Sequence, residues 1–102
     1  MKHLTYGDKS LFIDDETASL LIAYVVDLSE SGDTDTVDVD AISSDGNLVS
    51  VSFILNSQSQ LVSESATGEI SGIDNDRART YLTRQLRARN NYPVPIRGDR
   101  DI

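Results

Sequence analysis

The sequence predicts an α+β fold: one small domain whose mostly antiparallel sheet carries two helices on one face, in the order β-β-α-β-β-β-α. Three observations lead there. Apolar and polar residues alternate through 37–41 and 49–53, the period of a half-buried strand. Two other stretches, 16–29 and 74–89, open on acidic residues and carry apolar side chains at helical spacing. The chain has 102 residues, the length of one domain, and enough to bury a core without staples. It has no cysteine, which removes a disulfide framework and a thiolate metal site.

Residues 2–6 and 10–13 read as the strands of a small hairpin, with Gly7 and Asp8 as its turn. Asp14, Asp15 and Glu16 then set a capping acid and further negative charge at the positive end of a helix dipole. The helix body runs over 16–29 and stops near Gly32. Apolar side chains cover nearly its whole circumference, leaving Glu16, Ser19, Ala23 and Asp27 as a narrow polar stripe, so burial on most sides is expected. Residues 20–26 also form a continuous apolar run that would suit a central strand. The length of the segment and its acidic start select the helix.

Residues 34–66 hold the remaining strands. Val37, Val39 and Ala41 alternate with Asp38 and Asp40, and Val49, Val51, Phe53 and Leu55 with Ser50, Ser52 and Ile54. Burial fixes their register. A two-residue loop at Asp45 and Gly46 would set Asp38 opposite Phe53 and Asp40 opposite Val51, placing carboxylates on the apolar face. A three-residue loop, 44–46, pairs Val37 with Phe53, Val39 with Val51 and Ala41 with Val49. It also places Gly46 where a type I turn with a bulge requires a left-handed residue. A third strand is expected over 60–64 and a loop or short edge strand over 65–72. The second helix starts at Asp74, a capping residue, and ends at Asn90 and Asn91. Ala78, Tyr81, Leu82 and Leu86 form its inner face, while Arg77, Arg84 and Arg87 lie on the other side. The domain therefore spans residues 1–91. Residues 92–102, with prolines at 93 and 95, are expected to form an extended, partly disordered tail.

Charge is segregated along the chain. All seven arginines follow residue 76. Residues 1–76 carry two lysines against fifteen acids, a net of −13, and residues 77–102 carry seven arginines against two acids, a net of +5, which gives the formal −8. Acidity of this degree suits solubility, adaptation to high salt or mimicry of a polyanion. It argues against nonspecific nucleic-acid binding, which depends on clustered cations neutralising phosphates. The N-terminus lacks an apolar signal region, and the longest apolar run is seven residues, 20–26, well short of the ~20 that span a bilayer. A cytoplasmic protein without a membrane segment is expected.

Motifs for chemistry are scarce. His3 is the one histidine, and no serine stands in a nucleophile-elbow context. Four aspartates in residues 33–40 supply hard oxygen ligands. A calcium loop beginning at Asp33 would need glycine where Asp38 stands and glutamate where Ser44 stands. A solvated strand face is the reading that fits, with no metal site and no cofactor. Gly68 and Gly72 lack the strand-to-helix context of a phosphate loop. Arg97-Gly98-Asp99 spells an integrin tripeptide, a coincidence in a chain with no secretion signal.

Leu4-Thr5-Tyr6-Gly7, followed by Asp14-Asp15-x-Thr17 and an apolar helix, resembles the start of a family of small uncharacterised actinobacterial proteins. The likeness covers about the first 22 residues. It implies a small α+β domain and transfers no site; the acidic hairpin departs from that family's pattern.

The function expected is a non-enzymatic protein-interaction or regulatory module, whose partner is another protein or a second copy of the chain. Arg77, Arg84 and Arg87 are its candidate contact residues, because arginine forks match carboxylates and phosphates. The alternative is an anion- or nucleic-acid-contacting module using the same helix. A basic helix that merely balances the chain's own acidic sheet is the structural reading against which both are set.

Overall fold

Alternating apolar residues and tight glycine turns build the first hairpin, strands β1 (Lys2–Tyr6) and β2 (Lys9–Ile13). In the computed structural model, which describes residues 1–90, they are followed by helix α1 (Asp15–Ser31), strands β3 (Asp35–Ser43), β4 (Leu48–Leu55) and β5 (Leu61–Ser65), and helix α2 (Asp76–Asn90). The order is the expected β-β-α-β-β-β-α. The tail expected over 92–102 lies outside the described residues.

All five strands join one antiparallel sheet in the order β4-β3-β2-β1-β5. The β3–β4 register pairs Val37 with Phe53, Val39 with Val51 and Ala41 with Val49, as burial requires. The loop has three residues: Ser43 N–H reaches Asn47 C=O at 2.8 Å, and Gly46 sits at φ 90°. Leu4, Leu11, Ile13, Val37, Val39, Ala41, Phe53 and Leu55 point to one face of the sheet. Ala18, Leu21, Tyr24 and Leu28 of α1, with Ala78 and Leu82 of α2, cover that face. Each fully buried leucine contributes roughly 1.5–3 kcal/mol through the water it leaves.

Residues 16–29 are helical, and the alternative central strand is not formed. Asp14 caps α1, its carboxylate accepting from Thr17 N–H at 3.1 Å, and Gly32 ends the helix in the left-handed region at φ 75°. The helix is buried less completely than its composition suggests: Val26 is 53 % exposed. The sheet covers one side of α1 and α2 a second, which leaves a third side open. The two helices run parallel, since arginines near the start and end of α2 meet the start and end of α1 respectively.

β4 and β5 occupy opposite edges, yet only residues 56–60 join them. A flat five-stranded sheet would hold its edges about 19 Å apart, close to the full reach of so short a link. The sheet curls instead. The Tyr6 hydroxyl of β1 donates to Ile54 C=O of β4, and the Tyr6 and Phe53 rings stand 5.4 Å apart.

Candidate functional site

Helix α2 carries the candidate residues, and two polar nodes fix where it lies. At its start, β2 ends at Ile13 and the chain turns into α1, so the ladder between β2 and β3 stops after the Phe12–Ile42 pair. The next β3 residue facing that side, Asp40, would be left without a partner. The side chain of Asn75, only 3 % exposed, takes the vacant place: its Oδ1 accepts from Asp40 N–H at 2.7 Å and its Nδ2 donates to Asp40 C=O at 2.9 Å. Nδ2 also donates to Asp14 Oδ1 at 3.0 Å. Arg79, one turn into α2, reaches Asp14 Oδ2 at 3.0 Å and pairs with Glu16 and Asp76. Burial alone would push the Asp14 carboxyl up. The hydrogen bonds from Asn75 and Thr17 and the charge of Arg79 outweigh it and hold the group below its ordinary range.

The second node lies where both helices cross the start of β3. The hydroxyls of Tyr24 and Tyr81 both donate to Asp35 Oδ2. Burial and the bond to Asp35 push the Tyr24 phenol well up; the same bond leads the upward shift of Tyr81. Burial raises Asp35 while the two phenols, Thr36 N–H and Arg89 lower it, and the net direction is down. Arg89, near the end of α2, lies 5.9 Å from the Tyr24 ring centroid and pairs with Asp27 and Asp33, each at 2.8 Å. The last turn of α1 has no basic residue, so Arg89 brings a cation to its negative end from the neighbouring helix.

These nodes divide the arginines of α2. Arg79 and Arg89 are 25 % and 20 % exposed and serve the fold. Arg77, Arg84 and Arg87 are exposed and, among the described residues, take part in no ion pair. With Thr80 they follow one stripe of the helix at steps of three and four. Ala78 and Leu82, on the opposite side, are buried, and Leu86 is half-buried against the core.

Arg77 and Arg84 line a groove of about 630 Å³ between α2 and β3, with Ala78 and Tyr81 on its floor and Thr36 and Asp38 on its far wall. Arg84 and Arg87 share a shallower depression of about 430 Å³ with Thr80 and Thr83. The structure therefore brings Arg84 together with each of the other two. The β3 wall presents main chain. Asp40 turns its N–H and C=O away from β4, so in an antiparallel ladder Asp38 turns its own the same way, toward the groove.

The four aspartates of residues 33–40 are dispersed. Asp33 faces Arg89 and Asp35 the tyrosines, while Asp38 and Asp40 lie on the outer sheet face beside Ser52 and Ser50. Among the described residues no group of three or more potential metal-ligating side chains converges. His3 lies on the same outer face, 3.1 Å from Glu64, with its ring tilted against that of Phe12 at 5.0 Å between centroids. No described helix is long and apolar enough to cross a membrane.

The roles of Asn75, Arg79, Arg89 and Asp35 were not legible in sequence. Nothing local marks an asparagine as a strand surrogate. The one available signal is the excess of acids at 14–16 and 27–35, which some cations of the chain had to meet. Comparison with protein-family models, with curated proteins and with solved structures finds no match to this chain.

Proposed function

We propose that this protein is a non-enzymatic interaction module whose groove between α2 and β3 receives an acidic, extended segment of another protein. One observation carries this reading: three exposed arginines that form no ion pair among the described residues stand on a helix whose other two arginines are both tied into the fold. A helix that only balanced its own acidic sheet would pair the majority of its cations. Arginine presents a planar fork that matches a carboxylate in two hydrogen bonds, and Tyr81 and Ala78 offer apolar contact beneath. The formal charge of −8 does not forbid an acidic partner. At physiological salt the Debye length is about 8 Å, so charges beyond the groove are largely screened. A densely charged nucleic acid is a poorer fit, because Asp38 and Asp76 also border the groove.

The test uses a fluorescent peptide of alternating glutamate and valine, a single-stranded oligonucleotide and inorganic phosphate. Saturable peptide binding, weakened at least about tenfold by R77A/R84A with an unchanged melt, is the expected result. Failure of the peptide to bind would overturn the reading. So would a double variant that loses stability chiefly at low salt, because the arginines would then be balancing the chain's own acids. Tighter binding of the oligonucleotide than of the peptide would shift the function to anion contact.

A further inference from the structure

Independently of the groove, we propose that the chain self-associates through the open edge of β4, two copies pairing antiparallel to make one continuous ten-stranded sheet. The fold manages its other edges. The β3 edge beyond Ile42 is taken by Asn75 at Asp40 and faces α2. β5, at the opposite end of the sheet, is only five residues long and carries Glu64.

β4 has none of these protections. It runs eight residues, Leu48–Leu55, without a charge or a proline, and its pairing with β3 shows no bulge. Strands left in this state pair with other strands. Its hydrogen-bonding phase follows from the ladder. Asp40 and Ile42 face away from β4, so their opposites, Ser50 and Leu48, face away from β3, and Ser52 follows by alternation. Ile54 belongs to the same set, and its C=O is indeed met outside the ladder, by the hydroxyls of Tyr6 and Ser59. Among the described residues, the main-chain groups of Leu48, Ser50 and Ser52 are thus the stretch of this edge that no other strand or side chain meets.

The occupant is a second copy because the open stretch complements itself. A two-fold axis at Ser50 sets Ser50 against Ser50 and Leu48 against Ser52, and every outward N–H and C=O of these residues meets its opposite. On the helix-covered face, half-exposed Val49 and Val51 meet Val51 and Val49 of the other copy, so four valines gain cover. Leu48, 57 % exposed, lies on the outer face of the sheet, where it meets Ser52 of the other copy. The nearest charges are the two Asp40 side chains, one strand behind each Ser50. Three strand spacings separate them, about 14 Å, beyond the Debye length at physiological salt. Because the contact is short, it belongs with the small, transient interfaces, and the association should depend on concentration.

Sedimentation equilibrium across a concentration series tests this with the whole chain, using S50K and S52P as variants. In the single chain the lysine introduced by S50K would lie beside Asp40; in the dimer it would face its counterpart in the other copy. The proline introduced by S52P removes an outward N–H and leaves the β3 ladder intact. Melts confirm that each variant folds. The expected result is a monomer–dimer equilibrium that tightens with added salt and weakens at least about tenfold in both variants. Amide exchange at Leu48, Ser50 and Ser52 should slow as concentration rises. A chain that stays monomeric at its highest soluble concentration would overturn the proposal. So would a dimer that survives in folded S50K and S52P with these amides unprotected.

Discussion

Asn75 does the work of a strand residue with its side chain. A primary amide carries the same donor and acceptor as a peptide unit, so it can close the ladder position that β2 vacates when Asp14 turns into α1. Removing it strands the N–H and C=O of Asp40 and loosens Asp14. N75A should cost about 2–3 kcal/mol in urea unfolding, more than one ordinary hydrogen bond, because buried partners are left unpaired. N75D should be no better, since its second oxygen would face Asp40 C=O and the Asp14 carboxylate. Asp14 itself ties stability to pH. Its folded-state carboxyl lies below its ordinary value of 3.8, so the charged form is favoured by folding. The stability it contributes is complete above that value and is lost as pH falls through the lower, folded one. Asp35 is shifted the same way, by its phenols. Melting temperature should therefore fall as pH is lowered through the acid range, and D14N should flatten the fall while lowering the plateau. Tyr24 and Tyr81 act with the opposite sign. Both phenols are raised from 10.0, so their contribution is complete below that value and disappears as pH rises beyond it.

At the level of elements, α2 has two sets of cations with different duties. Arg89 closes the ends of both helices together, and Arg87, two residues earlier, points to solvent. R89A should lower stability by about 1 kcal/mol, a screened ion-pair value, while R87A should leave it within about 0.5 kcal/mol. Parallel packing of the helices explains why Arg89 matters. Aligned dipoles place two positive ends together and two negative ends together. The first is met by Asp14, Asp15, Glu16 and Asp76, and the second by Arg87 and Arg89. The β3–β4 hairpin depends on its turn in a similar way. Gly46 at φ 90° occupies a conformation that costs an L side chain, so G46A should destabilise by about 1–2 kcal/mol without changing register. Thermal melts, with exchange of the Ser43 amide as a register check, would measure this.

For the molecule as a whole, curvature of the sheet is the organising property. It lets residues 56–60 connect the two edge strands, and it is closed by Tyr6, whose ring packs on Phe53 and whose hydroxyl reaches Ile54. Y6F keeps the ring and removes the hydroxyl. A loss of about 1 kcal/mol is expected. Faster exchange of the Gly7 amide should accompany it, since that N–H bonds to Gln60 C=O across the same closure. An unchanged Gly7 amide would mean that ring packing alone holds the curl. The charge asymmetry also resolves at this scale. The basic helix meets acids of the α1 ends and of the approach to β3, not the acidic outer face of the sheet, and so its outer stripe keeps Arg77, Arg84 and Arg87 for solvent or a partner.

What the sequence by itself determined is local. The alternation of Val37, Val39 and Ala41 against Val49, Val51 and Phe53 admits one register, because a slip of one residue would bury carboxylates. Asp14 and Gly32 bound α1 through short-range cap chemistry. Helical spacing alone separated Leu82 from Arg84 and Arg87. The tertiary structure decided everything that joins distant segments: β5 beside β1 instead of β4, helices side by side in parallel, Asn75 in a strand's place, Asp35 between two tyrosines. These depend on which unpaired groups arrive near one another once the sheet curls, and residues sixty positions apart leave no periodic trace of that meeting. The division of five arginines into structural and solvent-facing sets belongs to the same class. The sequence placed them on one helix, and only the positions of Asp14, Asp27 and Asp33 in space determined which of them were paired.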